Sequence, residues 1–265
     1  MFENKTVWIT GASSGIGAAL ARHLAKRGAR LILSARRKDS LQAVAEQVDE
    51  AAGVPGTAFV LPLDVTDEAA MDTRVAEAKA FAGRIDMLFN NAGISQRSTV
   101  LETDMATYRT LFEVDVLGQI ALTKAVLPVM LAQGGGHVAV TSSVAGKIGA
   151  PKRSGYCAAK HAVMGFFDAL RAEMDGQGIK VTTITPGFIR TPISENALKG
   201  DGTKFGETDS NIAGGMDVDD CARAIVRGME KGRPEIPVGK GKEMHALWLK
   251  RFFPRLVFRM AGKLG

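Results

Sequence analysis

The order of the apolar segments constrains this chain more than any other feature. Short, β-branched runs alternate with longer Ala/Leu-rich stretches of helical period, from residue 6 to about residue 238. Residues 6–10, 30–34, 58–62, 85–90, 137–142, 180–185 and 235–238 read as strands. Residues 18–27, 39–52, 66–82, 105–133, 155–174 and 217–230 read as helices. Strict alternation of this kind predicts parallel strands joined by right-handed helical crossovers. The strands are continuous apolar runs, which suits a sheet covered on both faces. The expectation is a single α/β domain over 1–240, a doubly wound parallel sheet of about seven strands flanked by helices, with 241–265 as a basic amphipathic extension. Ligands on such sheets bind beyond the carboxyl ends of the strands.

Charge narrows the function classes. The formal charge is +6, but from Lys240 onward seven cations face one acid, Glu243, and carry the whole excess. The first 239 residues are balanced, so no general basic surface for nucleic acid is expected. Cys157 and Cys221 are the only cysteines. They make neither a disulfide framework nor a metal-ligand spacing, and no metal is expected. A reducing, cytoplasmic compartment follows. Residues 1–5 are too short and polar for a signal peptide, and no uninterrupted apolar run of about 18 residues suggests a membrane span.

The first strand runs directly into Gly11-Ala12-Ser13-Ser14-Gly15-Ile16-Gly17 and then a helix. Glycines there let backbone approach a pyrophosphate, and the helix N-terminus offers N–H donors and a positive dipole. The second strand ends in Arg36-Arg37, where a site that reads a free ribose hydroxyl wants an acid. Two guanidiniums suit a 2′-phosphate, so NADP(H) is preferred over NAD(H). Asp64-Val65 after the third strand can meet the adenine edge. Asn91-Ala92-Gly93 after the fourth lies beside the same cofactor, where Asn91 binds it or shapes the site rather than only capping local backbone.

Tyr156 and Lys160 stand four apart in a helical segment, so both side chains leave one face. Ser143 closes the strand before that helix. A phenol ordinarily titrates near 10, which makes it a poor proton carrier at neutral pH. A neighbouring ammonium favours the phenolate, and a nearby hydroxyl can hold a substrate oxygen. Together they are an acid/base for an alcohol proton. The chain has one other tyrosine, Tyr108.

With these segments in order, the chain resembles the short-chain dehydrogenase/reductase family. The resemblance rests on TGASSGIG (10–17), Asp64-Val65, NNAG (90–93), SSVAG around Ser143, YCAAK (156–160) and PGFIRT (186–191), and spans residues 6 to about 238. It implies a Rossmann-type fold and hydride transfer between nicotinamide and a carbonyl or secondary alcohol. It further implies Tyr156 as acid/base, Lys160 on the nicotinamide ribose, and Ser143 orienting the substrate oxygen. Pro186, Gly187, Ile189 and Thr191 would line the nicotinamide carboxamide. Homodimers or homotetramers, joined through the fourth and fifth helices, are common in the family.

One position departs from the pattern. Where the family usually places an asparagine in an N-x-x-G context, this chain has Asp115-Val116-Leu117-Gly118. An aspartate can accept from Lys160 or a water but adds a negative charge that opposes phenolate formation. A working but retuned proton relay is expected.

Other residues carry bland expectations. Ser142 supports its strand and His161 is structural. His23, His137 and His245 lack acid partners in sequence. Residues 192–215, rich in Gly, Ser, Asn and Thr, read as a flap over the site or as a long surface loop. The tail 245–265 places Trp248 and Phe252 at helical spacing, and Arg255, Arg259 and Lys263 in one cationic stripe. Such a segment can lie at an anionic membrane surface or pack on protein. The expected function is an NADP(H)-dependent carbonyl reductase or alcohol dehydrogenase with a hydrophobic small-molecule substrate. A regulator without turnover and an NAD-dependent epimerase or dehydratase are the alternatives.

Overall fold

The computed structural model describes residues 1–261. Seven parallel strands form one sheet in the order β3-β2-β1-β4-β5-β6-β7. They are β1 (Thr6–Thr10), β2 (Arg30–Ser34), β3 (Ala58–Val60), β4 (Met87–Asn90), β5 (Gly136–Thr141), β6 (Ile179–Pro186) and β7 (Glu235–Val238). The helices are α1 (Gly15–Ala25), α2 (Lys38–Ala52), α3 (Met71–Ala82), α4 (Met105–Phe112), α5 (Gly118–Ala132), α6 (Ser154–Glu173), α7 (Ser210–Ala213), α8 (Val218–Glu230), α9 (Lys242–Phe252) and α10 (Pro254–Ala261).

The strands are apolar on both sides because both sides are covered. Val7, Ile9, Leu31, Leu33 and Phe89 enter a core shared with α1, α2 and α8. The alternate residues Trp8, Ile32, Leu88, Val138 and Val140 enter a second core shared with α3, α5 and α6. Trp8 is fully buried, and its indole N–H donates to Ser34 Oγ at 2.8 Å. A buried indole therefore keeps its hydrogen bond.

Residues 105–132 are helical throughout, 28 residues apolar enough to cross a membrane by length and composition. The sequence gives no uninterrupted apolar run of that length, and the segment packs its Leu122, Val126 and Met130 under the sheet. Between α4 and α5, residues Glu113–Leu117 widen into a π-helical turn. Such turns occur often at functional sites. Gly118 follows because a Cβ there would come within 2.5 Å of the Val65 carbonyl oxygen.

The single tail segment expected from sequence is two helices. Pro254 has no N–H to continue α9, so the chain breaks at Phe253 and restarts as α10. Lys263, the far end of the expected cationic stripe, lies outside the described residues, as does the remainder of 262–265.

Candidate active site

The strand order reverses between β1 and β4, where β2 lies to one side and β5 to the other. Crevices at such switch points are where open α/β sheets bind ligands. The glycine turn follows β1 and the Asn-Asn-Ala-Gly turn follows β4, so the topology alone brings both together.

The glycine turn is built for close approach. Gly11 has φ +63°, and a Cβ there would press on Ala92 Cα at 2.8 Å. Gly17 has no room for a Cβ, which would collide with the Gly11 carbonyl and approach Asn91 Nδ2 to 2.7 Å. Gly15 has φ +55° and faces Thr191, whose Cγ2 would lie 3.2 Å from an added Cβ. Ser13 and Ile16 are half-buried, while Ser14, the extended N-cap of α1, leaves its hydroxyl unused by the helix. The loop thus offers bare backbone and free hydroxyls at a helix start, a cradle suited to a dinucleotide pyrophosphate.

Asn91 is spent on the scaffold. Its Nδ2 donates to the carbonyls of Thr10 (3.2 Å) and Gly11 (3.3 Å), and its Oδ1 accepts from Thr141 Oγ1 (3.1 Å). Thr10 Oγ1 in turn accepts from the N–H groups of Asn91 and Ala92. One amide therefore ties the ends of β1, β4 and β5 and shapes the site rather than capping its own turn. Gly93 leaves space for the pair behind it: an added Cβ would lie 3.2 Å from both Asp115 Oδ1 and Lys160 Nζ.

Arg36 and Arg37 are exposed at the end of β2, and neither has an acidic partner among the described residues. Asp64 is exposed and accepts from the N–H and hydroxyl of Thr66, while Val65 is buried. Pro186 ends β6, and Ile189 is buried and bridges to Met216. Gly187 is pinned by its N–H to the Val238 carbonyl, and Phe188 N–H donates to Glu243 Oε1 at 3.2 Å. Glu243, from the tail, thereby fixes the segment that carries the expected carboxamide contacts.

Tyr156 and Lys160 lie on α6 and are 7% and 4% exposed. The Lys160 ammonium is 5.8 Å from the centroid of the Tyr156 ring. Lys160 Nζ donates to the Thr141 carbonyl at 3.2 Å and lies 3.2 Å from Asp115 Oδ2. Asp115 Oδ1 accepts from the Ile94 N–H at 2.7 Å. Apart from the Lys160 contact, Asp115 Oδ2 has no hydrogen-bond donor among the described residues. Burial pushes the Asp115 carboxyl up from the ordinary carboxylate range, and Lys160 and the Ile94 N–H pull the other way. Ser143 begins the turn after β5, its Oγ accepting from Ala145 N–H at 3.1 Å. Ser142, one residue earlier, donates to the Lys160 carbonyl, a supporting role for α6. His161 bonds the Cys157 carbonyl within the helix.

Sequence reasoning missed the group that fixes the start of α6. Gln96 is fully buried, and its Oε1 accepts from Gly155 N–H (2.7 Å) and Tyr156 N–H (3.4 Å). It fills the orphan donors of the first turn and so sets where Tyr156 emerges. Next to it, Arg97 Nε is 3.3 Å from Asp209, and Arg153 Nη2 is 3.0 Å from the same carboxylate. Burial lowers the Arg97 pKa; for Asp209, burial alone would raise the carboxyl, but the Asn211 N–H and the two arginines outweigh it and lower it. Asp209 belongs to the segment read as a flap or loop. That segment is tied back at Leu198, whose N–H donates to the Ser95 carbonyl at 2.8 Å. The only sequence signal was an unusual polar run, Ser95-Gln96-Arg97-Ser98, after the fourth strand.

The model of the short chain dehydrogenase family matches residues 5–202. The chain belongs to the short-chain dehydrogenase/reductase family. A relative from Danio rerio, named dehydrogenase/reductase SDR family member 7B, is 39% identical over 262 residues, which is 97% of this chain and 84% of the relative. Among solved structures, a short-chain dehydrogenase/reductase from Burkholderia phymatum in complex with NAD superposes with TM-score 0.83. It is 24% identical and covers 96% of this chain and 95% of that one. An alcohol dehydrogenase from the archaeon Thermococcus sibiricus, complexed with 5-hydroxy-NADP, gives TM-score 0.74. It is 27% identical and covers 89% of this chain and 96% of that one. This short-chain dehydrogenase/reductase is accordingly an oxidoreductase with a Rossmann-type single domain, and its fold is one that binds a nicotinamide cofactor.

Proposed function

We propose that the protein interconverts a carbonyl and a secondary alcohol with NADP(H), and that Tyr156 carries the proton. The observation behind this reading is the placement of Tyr156 and Lys160 on one face of α6. Both are buried, beyond the ends of β4 and β5, with the ammonium 5.8 Å from the phenol ring. When bound, the dinucleotide supplies or accepts the hydride.

The chain's own residues have separable tasks. The turn 11–17 holds the pyrophosphate on backbone N–H groups. Arg36 and Arg37 hold the 2′-phosphate, their exposed guanidiniums having no acidic partner among the described residues. Ser143 Oγ orients the substrate oxygen. Tyr156 Oη donates its proton to that oxygen in reduction and takes it in oxidation. Lys160, fixed by the Thr141 carbonyl, supplies positive charge beside the phenol. Asp115 holds Lys160 from behind and offsets part of that charge.

An apolar cleft lined by Gly149, Ala150, Pro151, Ser154, Cys157 and Ala261 lies against the first turn of α6, the turn that carries Tyr156. It supports a hydrophobic substrate. The test is NADPH consumption against a panel of aldehydes and ketones, with NADH in parallel. Net oxidation of NADPH by an apolar ketone is the expected result. Cofactor binding without consumption across the panel would refute the reading.

A further inference from the structure

We propose that α9 and α10 form a docking face for an anionic lipid bilayer and that this face borders the mouth of the active site. Its position beside the mouth rests on the catalytic reading above; the docking itself does not.

The exposed large apolar side chains are concentrated here. Trp248 is 69% exposed, Phe252 66% and Phe258 63%, and Phe253, Leu256 and Met260 join them within thirteen residues. A soluble surface rarely carries so dense a patch without a partner. Exposed cations are interleaved with it: Lys242, Arg251, Arg255 and Arg259. None of the four has an acidic partner among the described residues. Glu243, the sole acid of the tail, is occupied by the Phe188 N–H.

The patch is held in place from its inner side. Lys250 donates to the Lys147 carbonyl, Val257 is buried, and Ala261 helps line the cleft with Pro151 and Cys157. Pro151 and Cys157 lie in the loop and first turn that carry Tyr156. On α10, Arg255 and Arg259 occupy the pole opposite Val257, with Phe258 on one flank and Leu256 and Met260 on the other. Aromatic rings beside cations match the interfacial zone of a bilayer, where rings enter the headgroup layer and guanidiniums pair with phosphates. Charge also argues against a second copy as the occupant. A two-fold contact through this patch would set its unpaired cations against themselves.

The chain contains two tryptophans, and Trp8 is fully buried, so an emission change on binding reports Trp248. The full chain is mixed with vesicles of phosphatidylcholine alone or with about 30% phosphatidylserine. Co-sedimentation and a blue shift are expected with the anionic vesicles only, both weakened by high salt. R255E/R259E should lower partitioning roughly tenfold or more while leaving the thermal melt unchanged. Y156F should bind vesicles like the native chain, which separates this proposal from the catalytic one. Three results would overturn it: no sedimentation of the native chain, equal binding to neutral vesicles, or a vesicle-free dimer that W248A/F252A disperses.

Discussion

Lys160 Nζ lies 3.2 Å from Asp115 Oδ2, and neither side chain is more than 5% exposed. The ammonium that should prime Tyr156 is thus partly neutralised by a carboxylate. Asp115→Asn removes a negative charge behind Lys160, so the acidic limb of the alcohol-oxidation profile should move to lower pH. An unmoved limb in kcat/KM would remove Asp115 from proton transfer.

The same pair has a stability signature. The folded-state pKa of Asp115 is raised, chiefly by burial. Its contribution is fully present below the unfolded carboxylate pKa and is lost as pH rises through the folded one. Thermal melts of the native chain should therefore lose ground to those of Asp115→Asn as pH increases. Parallel melting curves across that range would contradict the shift.

Gly17→Ala tests the phosphate cradle. The added Cβ would collide with the backbone carbonyl of Gly11, so main chain rather than a flexible side chain would have to shift. Overpacking of this kind costs about 1–3 kcal/mol, which lowers Tm by roughly 2–10 °C in a chain of this size. NADPH affinity, read by titration calorimetry, should fall with it.

Arg36→Ala with Arg37→Ala tests cofactor choice. Loss of charge-assisted hydrogen bonds to a 2′-phosphate should raise KM for NADPH about tenfold or more, with KM for NADH little changed. Equal effects on both cofactors would mean that the arginines do not read the phosphate.

His137 gives an acid-stability test away from the site. It is 7% exposed, and burial, with Lys180 adding to it, pushes its pKa down to about 4. Its stabilising contribution is present above the ordinary histidine value near 6.5 and lost as pH falls from there to about 4, worth roughly 3 kcal/mol. His137→Leu should flatten the stability profile across that window, measured by urea unfolding.

The sequence revealed those parts of the fold that depend on local pattern. Thr6–Thr10, Arg30–Ser34 and Glu235–Val238 begin and end where their apolar runs do. Residues 105–133 read as one helix because the period persists. The π-helical turn at Glu113–Leu117 is invisible to periodicity, since it is fixed by where Asp115 meets Ile94 and Lys160. The positions of the glycine turn and of Tyr156 and Lys160 on one helix face were legible because each depends on a short segment. Gln96 and the Arg97–Asp209–Arg153 cluster were not, because each contact joins residues at least 56 positions apart. The partners of Asn91 were not legible, because they depend on the ends of three strands meeting.

The most direct measurement is turnover of Tyr156→Phe beside its affinity for NADPH. Phenylalanine keeps the ring and removes only the proton carrier. The predicted result is a fall in kcat of about 100- to 10,000-fold with NADPH still bound. Turnover close to that of the native chain would contradict Tyr156 as the acid/base.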